Sequence, residues 1–456
     1  MIEQNMKSFR KEILEIKNRT TAGLLLDYDD ALEEVRKELK NIFQKNLDLK
    51  GNHFSEKIHT KEDLRIKKSM FKEYIHDILQ FQNIRVKGYE QDIDKLTNSL
   101  TSAFVGFDVL EDAFDNPKVT DIYIIDYDKI YIEEGGVNKR YQHTFRSKKH
   151  FKDFLFRLLN EAGKELNNGD AKKADFELYG DRYCATSPSI SPEGFSLTIR
   201  KHAEDHLSFK DLLDQEVFSG EIGEFIGQLI KGERNIIYAG ITGSGKTTSI
   251  RAILDEFVPA LNKRMLICED TQELFPKSDH TLQLVSSLTG DKKTEMTLQQ
   301  LIYTALRLKP KYIVVGEIRA EEAQAASEAM ETGHSTIFTM HGGKAINCIN
   351  RIVTKYLMAM PTLGIDVVER IIGSSVDYIC VQDNIPGIGR KITEISEIDY
   401  DFSNRIVSVK PIYKYDIKVQ EFVRLNPISE EKVELMMRRG VQYEDIKHWL
   451  QIPVVK

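Results

Sequence analysis

The sequence predicts an α/β protein in which a domain with a parallel sheet follows a small α+β domain and a helical N-terminal region. Short apolar runs alternate with helical stretches after about Glu216, and a glycine-rich loop separates one such run from a helix. The residues before Ser102 contain almost no glycine and no proline. Domains usually span roughly 100 to 200 residues, so a chain of 456 residues predicts two or three of them.

The composition is that of a globular protein. Hydrophobic residues make up 41% of the chain and charged residues 30%, and the formal net charge is -7. No apolar run approaches the roughly 18 residues of a membrane span, and residues 1–19 are charged throughout, unlike a secretory signal. We therefore expect a cytoplasmic chain. The acidic balance gives no reason to expect direct binding of nucleic acid.

The four cysteines argue against structural zinc. Cys184, Cys268, Cys348 and Cys380 are far apart in the sequence and form no C-x-x-C pair. We expect them to be reduced and partly buried.

Residues 1–102 predict a helical region. Apolar residues recur at helical spacing, first from Met6 to Ile16, then from Leu32 to Ile42, and again from Ile75 to Leu79. The charged faces between them are typical of solvated helix surface. A coiled-coil or partner-binding role for this region remains open.

Residues 103–200 predict the small α+β domain. Its expected elements are two strands of a hairpin, a helix with Gly163 as its C-cap, and a closing strand: Thr120–Ile125, Lys129–Glu133, residues 151–162 and Ser196–Ile199. Residues 201–215 predict a linker.

Residues 216–456 predict the parallel sheet. The expected strands are short, buried and separated by helices: Asn235–Ala239, Arg264–Cys268, Tyr312–Val315, Thr336–Met340 and Asp377–Val381. Thr297 is a credible N-cap for a helix with the apolar stripe Leu298, Leu301, Ile302 and Ala305. Residues 391–456 predict a C-terminal tail of mixed character that we expect to be helical.

The segment GITGSGKTT, between a predicted strand and a predicted helix, is a complete P-loop. Its glycines let the backbone wrap around phosphate oxygens, and the following helix presents its N–H groups to the same anion. Lys246 is expected at the β- and γ-phosphates, and the Thr247 hydroxyl at Mg²⁺. The residues expected to bind ATP are Gly240, Ile241, Thr242, Gly243, Ser244, Gly245, Lys246, Thr247 and Thr248.

Hydrolysis also needs a carboxylate that orients or deprotonates water. Acidic clusters follow two predicted strands, with Glu269, Asp270 and Glu273 after the first and Glu317 after the second. Carboxylates at the C-terminal ends of parallel strands lie where open α/β sheets bind ligands. His334 and His341 flank another short strand, and their spacing predicts that they cannot share one metal ion.

A family resemblance accounts for these motifs together. The ordered segments GITGSGKTT, EDTQEL, LRLKPKYIVVGEIRAEEA and TGHSTIFTMH resemble the Walker A, Asp-box, Walker B and His-box motifs of the secretion-superfamily ATPases. That family drives type II and type IV secretion, type IV pili and tight-adherence pili. The spacing is most similar to the CpaF-like branch, shared with conjugation-type ATPases. Upstream, VTDIYIIDYDKIYIEEGG, GDRYCAT and SLTIRKH resemble the family's N-terminal domain, so the resemblance covers about residues 103–399.

The resemblance implies a RecA-like ATPase domain, a PAS-like α+β domain before it, and a homohexameric ring. It implies that nucleotide lies between the two domains, with Arg182 and Arg200 reaching the γ-phosphate. Glu317 takes the role of the glutamate that polarises water, and Arg319 follows it in the family pattern. The further residues implied at the catalytic site are Glu269 and Glu273 of the Asp box, and His334 and His341 of the His box.

Magnesium binding departs from that of many P-loop enzymes. Gly316 precedes Glu317, so no aspartate is available there to hold Mg²⁺, a trait that the resembling family shares. Thr247 and an Asp-box carboxylate, with Asp270 as the candidate, are then the expected protein groups near the ion.

The implied function is an ATP-hydrolysing motor for pilus assembly, protein secretion or conjugation. Such a motor acts on an inner-membrane platform protein and docks at the inner face of the cell membrane without entering the bilayer. Two alternatives remain open at this point: an ATP-dependent scaffold or switch with negligible turnover, and a nucleic-acid translocase.

Overall fold

The structure is a computed structural model that describes residues 24–45, 60–202, 207–287 and 294–452. The chain divides into two compact units, Met1–Glu204 and Asp205–Lys456. The helical pattern predicted from Met6 to Ile16 lies outside the described residues.

The first part of the first unit is a helical layer with a small parallel strand pair. Its elements are β1 (Leu24–Leu26), α1 (Tyr28–Lys45), α2 (Lys61–Phe81), β2 (Ile84–Val86) and α3 (Ile93–Val105). The prediction of an entirely helical region is wrong in this detail, because β1 and β2 pair in parallel from Leu24 and Ile84 onward. Strands of three residues are too short to show an alternating pattern.

The rest of the first unit is an antiparallel sheet covered by one long helix. Its elements are a 3-10 turn (Asp108–Leu110), α4 (Glu111–Asp115), β3 (Val119–Asp126), β4 (Lys129–Glu134), β5 (Val137–Arg140), α5 (Lys148–Glu161), β6 (Lys173–Leu178), β7 (Asp181–Thr186) and β8 (Ser196–Arg200). The strands lie in the order β5-β4-β3-β8-β7-β6. The predicted hairpin, helix and closing strand are all present, and Gly163 follows α5 with a φ of +64°.

The second unit is built on a mixed sheet. Its elements are α6 (Phe209–Asp214), α7 (Gly220–Lys231), β9 (Ile236–Gly240), α8 (Lys246–Leu261), β10 (Met265–Glu269), β11 (Thr281–Val285), α9 (Leu298–Arg307), β12 (Tyr312–Ile318), α10 (Glu322–Glu331), β13 (Ser335–His341), α11 (Ala345–Ala359), α12 (Ile365–Ser375), β14 (Tyr378–Ile385), β15 (Gly389–Asp401), β16 (Ile406–Asp416), β17 (Glu421–Arg424), α13 (Glu430–Met437) and α14 (Tyr443–Ile446). The strand order is β11-β10-β12-β13-β9-β14-β15-β16-β17.

The parallel half of this sheet follows the predicted pattern. The predicted strands correspond to β10, β12, β13, β9 and β14, which are neighbours in the sheet and pair in parallel. Thr297 caps α9, since its side chain accepts from the Gln300 N–H and the Gln300 side chain accepts from the Thr297 N–H. The P-loop strand β9 therefore lies between β13 and β14.

The C-terminal tail differs from its prediction. Residues 391–456 were expected to form a mixed, helical tail, but β15, β16 and β17 extend the sheet in antiparallel fashion before the short helices α13 and α14. The predicted linker, residues 201–215, also contains the helix α6, which Ser208 and Asp211 cap reciprocally.

Two apolar cores cover the two faces of the second unit's sheet. On one face, Trp449 is fully buried beside the Phe225 ring and donates its indole N–H to the Tyr413 hydroxyl at 2.6 Å. This contact fixes the C-terminal segment to the sheet. Over the ranges that the structure describes, no helix is both long and apolar enough to cross a membrane.

Candidate functional site

The P-loop connects β9 to α8 with the backbone geometry that phosphate binding requires. Gly243 and Gly245 have φ angles of +77° and +88°, values that favour glycine. The Lys246 Nζ donates to the carbonyl oxygens of Gly240 and Ile241, each at 3.1 Å. The loop thus forms a turn around its own lysine at the N-terminus of a helix, where backbone N–H groups attract anions.

The neighbouring strand β14 holds the loop in place. The Gln382 side-chain amide donates to the Ser244 carbonyl oxygen at 2.6 Å, and the Tyr238 hydroxyl donates to the Gln382 side-chain oxygen. Gly240 is necessary here, because an added Cβ would collide with the Gln382 carbonyl oxygen. Gln382 and Tyr238 were not predicted as site residues, since no local motif marks them.

Glu269 lies at the end of β10 and is almost completely buried, with 2% of its surface exposed. Its Oε1 accepts from the backbone N–H groups of Glu273 and Leu274 at 3.0 and 3.2 Å. Burial raises the pKa of Glu269 to about 7, although these hydrogen bonds act in the opposite direction. Glu269 can therefore gain or lose a proton near neutral pH.

The space beside Glu269 explains the glycine of the Walker B segment. A Cβ added to Gly316 would lie 3.0 Å from the Glu269 Cγ, which is closer than such atoms normally approach. Glu269 on β10 thus fills the place where a side chain at position 316 on β12 would be.

Glu317 on β12 is held by two partners, one at the end of β13 and one just after the end of β12. Its Oε1 lies 2.7 Å from the His341 Nε2, and its Oε2 accepts from the Arg319 guanidinium, with the Arg319 Nε at 2.7 Å. Glu317 is partly exposed, with 19% of its side chain accessible. Both carboxylate oxygens are therefore engaged.

His341 brings Glu317 next to the P-loop. His341 pairs in register with Gly240 of β9, the first residue of the loop. Burial lowers the pKa of His341 below its ordinary value and outweighs the opposite effect of the Glu317 carboxylate. A neutral imidazole at pH 7 that carries its proton on Nε2 donates to Glu317.

Asp270 and Glu273 lie close enough to Arg319 to raise its pKa. Partial burial lowers the pKa of Arg319, but the paired Glu317 and the charges of Asp270 and Glu273 outweigh it and raise that pKa. Asp270 is exposed, and its Oδ1 accepts from the Ser286 hydroxyl at 3.0 Å. The structure thus brings the Asp box and the Walker B segment to the same edge of the sheet.

His334 lies at the other end of β13 from His341. Its Nδ1 is 3.1 Å from the Thr332 hydroxyl, and burial lowers its pKa. At about 3.3 Å per residue the strand separates the two histidines by roughly 20 Å. The structure therefore does not bring His334 to Glu317 within this unit.

Arg182 and Arg200 are in the first unit, directly opposite each other on the paired strands β7 and β8. Asp121 lies opposite Arg200 on one side, and Glu177 lies opposite Arg182 on the other. Glu133 continues the row beyond Asp121. Directly paired residues share one face of a sheet, so these charges form a single row across the polar face.

The residues of the second unit fit a magnesium nucleotide. The Ser244 hydroxyl is buried within the loop and, among the described residues, has no hydrogen-bond partner. Thr247 is half-buried in the first turn of α8, beside Lys246. In the part of the chain that the structure describes, no cluster of histidine, cysteine and carboxylate side chains could hold a metal by itself.

The chain is similar in sequence to several known proteins. The chain is 30% identical over 285 residues to the uncharacterized protein MJ0900 of Methanocaldococcus jannaschii, which covers 61% of this chain and 51% of that protein. It is 31% identical over 227 residues to the conjugal transfer protein TrbB of Rhizobium radiobacter, covering 49% of this chain and 67% of that protein. The chain thus spans about half the length of MJ0900.

Among solved structures, the pilus retraction motor PilT with bound ADP matches with a TM-score of 0.46 and 19% identity, over 73% of this chain and 85% of that one. The family model described as type II/IV secretion system protein matches residues 179–423, more than half of the chain. The chain therefore belongs to the family of type II/IV secretion system proteins.

Proposed function

We propose that the protein is an ATP-hydrolysing hexameric motor that powers pilus assembly, protein secretion or conjugative transfer through an inner-membrane platform protein. One observation carries the hydrolytic part of this proposal. The Glu317 carboxylate is 2.7 Å from His341, and His341 pairs in register with Gly240 at the start of the P-loop. A candidate base is thus fixed beside a phosphate-binding loop.

The P-loop residues bind the polyphosphate in this proposal. Phosphate oxygens accept hydrogen bonds from the backbone N–H groups around Gly243 and Gly245 and from the N-terminus of α8. The Lys246 ammonium leaves the loop carbonyl oxygens that it contacts and binds the phosphate oxygens instead. Thr247 and Asp270 are the residues proposed to contact the Mg²⁺ ion. Mg²⁺, when bound, offsets the charge that develops on the phosphates.

Glu317 orients the attacking water in the proposed reaction and accepts its proton. A carboxylate in this role needs an oxygen directed at the water. The pair with Arg319 occupies one oxygen and the neutral His341 the other, so turnover requires that one partner move away. His341 also links the carboxylate to the P-loop strand.

Arg182 and Arg200 are the proposed sensors of the γ-phosphate. Arg182 and Arg200 lie directly opposite each other on paired strands, so an anion that contacts both would offset their mutual repulsion. The anion that ATP has and ADP lacks is the γ-phosphate. Its loss on hydrolysis would remove an attraction and so couple chemistry to movement.

The biological setting rests on the family and on the relatives. The family is described as a type II/IV secretion system protein, and TrbB is named for conjugal transfer. We propose from this a homohexamer in the cytoplasm, docked at the inner face of the membrane.

An ATP-dependent switch or scaffold with negligible turnover is the second candidate. This candidate is favoured because both Glu317 oxygens are paired, so neither is free to accept a proton from water. The two candidate functions differ in whether Glu317 ever separates from Arg319 or His341.

Steady-state release of phosphate from the purified full chain separates them. We expect ATP- and magnesium-dependent release that falls about 10²- to 10⁴-fold in Glu317→Gln, while ATP binding remains. Lys246→Ala should lose both binding and turnover. Lys414→Ala, an exposed residue on β16, is the matched control and should behave as the wild type.

Absence of phosphate release from a chain that binds ATP would leave the switch as the better function. Equal release by Glu317→Gln and the wild type would contradict the assignment of the base. Strong stimulation of turnover by DNA would instead favour a nucleic-acid translocase.

A further inference from the structure

Arg390 lies beside the P-loop because of the hairpin that joins β14 to β15. β14 pairs in parallel with β9 as far as Gln382 and Gly240, and then continues past the end of β9. The connecting turn uses Gly387 and Gly389, with φ angles of +79° and +106°. The chain returns as β15, and Arg390 is its second residue. The hairpin therefore runs alongside the P-loop.

The Arg390 side chain occupies the space directly beside Gly245 of the P-loop. A Cβ added to Gly245 would lie 2.9 Å from the Arg390 Cδ and 3.1 Å from its Nε. Gly245 is the N-cap of α8, the residue from which the helix presents its N–H groups. The Gln382 amide, which binds the Ser244 carbonyl oxygen, is equally close to Gly245. The contact is thus fixed by the same strand that fixes the loop.

The charge of Arg390 is available for a ligand. Its side chain is exposed, and within the described ranges it forms no hydrogen bond or ion pair. Arg319, at the same edge of the sheet, is in contrast paired with Glu317. A guanidinium with five donors next to a helix N-terminus is suited to phosphate oxygens.

We infer that Arg390 binds the α- and β-phosphates of the nucleotide from within the same subunit. This inference rests on the proposed binding of nucleotide at the P-loop. The amides around Gly245 hold the α- and β-phosphates in a P-loop, so a side chain at Gly245 meets groups that ADP and ATP share. Arg390 therefore differs from Arg182 and Arg200, which we propose to sense the γ-phosphate.

Equilibrium binding of a fluorescent ADP to the full chain tests this role, with ATP and inorganic pyrophosphate as competitors. In Arg390→Ala we expect all three ligands to bind about 10- to 30-fold more weakly, the usual effect of losing one hydrogen-bonded charge contact. Arg390→Lys keeps the charge and should stay within about threefold of the wild type. Lys414→Ala, on the neighbouring strand β16, is the matched control and should bind as the wild type.

Several outcomes would overturn the inference. Unchanged binding of ADP by Arg390→Ala, with wild-type binding intact, would exclude a contact to the nucleotide and leave the proposed function standing. Weaker ATP with unchanged ADP would make Arg390 a γ-phosphate sensor, and weaker ADP with unchanged pyrophosphate would place it on the base. A wild-type chain that binds none of the three ligands would contradict the nucleotide proposal, and this inference with it.

Discussion

Glu269 occupies the space that a side chain at Gly316 would need, with its Cγ 3.0 Å from the position of an added Cβ. In many P-loop enzymes an aspartate near this position holds Mg²⁺. Here the Glu269 side chain from β10 fills this space instead, and its Oε1 accepts from two backbone N–H groups. The glycine before Glu317 is thus a steric requirement of the neighbouring strand.

Gly316→Ala should therefore destabilise the second unit. The added methyl group meets the middle of a buried side chain, and such overpacking costs about 1–3 kcal/mol. Thermal unfolding of the full chain measures the effect. Gly343→Ala is the control, because an added Cβ there has nothing within 4 Å. Equal melting temperatures for the two variants would contradict the packing argument.

Glu269 should also make stability depend on pH. Its pKa is about 7 in the folded chain against an ordinary value of 4.5, so the folded state binds the proton more tightly than the unfolded state. The folded state then loses stability as pH rises from about 4.5 through 7, by about 3 kcal/mol in total. Glu269→Gln lacks this titratable group, so its stability relative to that of the wild type should increase from pH 5 to pH 8. Parallel profiles of the unfolding midpoint for both proteins would show that Glu269 is not responsible.

The two histidines of β13 should differ in their effect on catalysis. His341→Ala removes the contact at 2.7 Å that positions Glu317, and we expect a reduction of turnover by about 10- to 100-fold. His334→Ala changes a residue roughly 20 Å away along the strand and should leave turnover within about twofold. Phosphate release at saturating ATP measures both. The reverse order of effects would place the functional histidine at the start of the strand.

Arg200→Ala should weaken the binding of ATP more than that of ADP, because the proposed contact is to the γ-phosphate. We expect about a tenfold loss of affinity for ATP or a non-hydrolysable analogue, with ADP nearly unchanged. Isothermal titration with each nucleotide gives the two affinities. Lys172→Ala, an exposed cation just before β6, serves as the control. Wild-type affinity for both nucleotides would exclude the sensor role.

Trp449 should stabilise the second unit strongly. Its buried ring contacts Phe225, and its indole N–H binds the Tyr413 hydroxyl. Trp449→Ala should cost about 3–5 kcal/mol, measured by circular dichroism during urea unfolding. Trp449→Phe keeps the ring but loses the donor, so it should cost less. Equal losses in the two variants would show that the hydrogen bond, and not the packing of the ring, dominates.

The sequence could predict the buried parallel strands because each is a short apolar run bounded by a turn or a motif. It failed for β15, where Ile392, Ile395 and Ile398 recur every three residues and mimic a helix. The structure shows why: the pairing of β14 with β15 skips Thr393, and a second irregularity follows at Ile395. Such bulges interrupt the alternation of buried and exposed side chains by which a strand is recognised in a sequence.

The candidate site also has residues that the sequence predicts and residues that it does not. Motif spacing alone could predict the P-loop, the Asp box and Glu317. Gln382 and Arg390 could not be found in this way, because they are more than a hundred residues from the P-loop and reach it only through the pairing of β9 with β14. His341 and His334 each flank the same predicted strand, so the sequence did not distinguish them. Only His341 lies at the edge of the sheet that carries the P-loop.

The charged row of the first unit, Glu133, Asp121, Arg200, Arg182 and Glu177, has a consequence for how an anion meets that face. Adjacent strands are about 5 Å apart, so the two positive charges lie close to three negative ones. At physiological ionic strength the electric field of a surface charge is screened over about 8 Å. At that distance the fields of these neighbouring positive and negative charges largely cancel. The arginines therefore exert little pull on anions still in solution. In the proposed γ-phosphate role they would therefore act only on a group that is already in contact, as a detector of bound ligand and not as a means of capturing it.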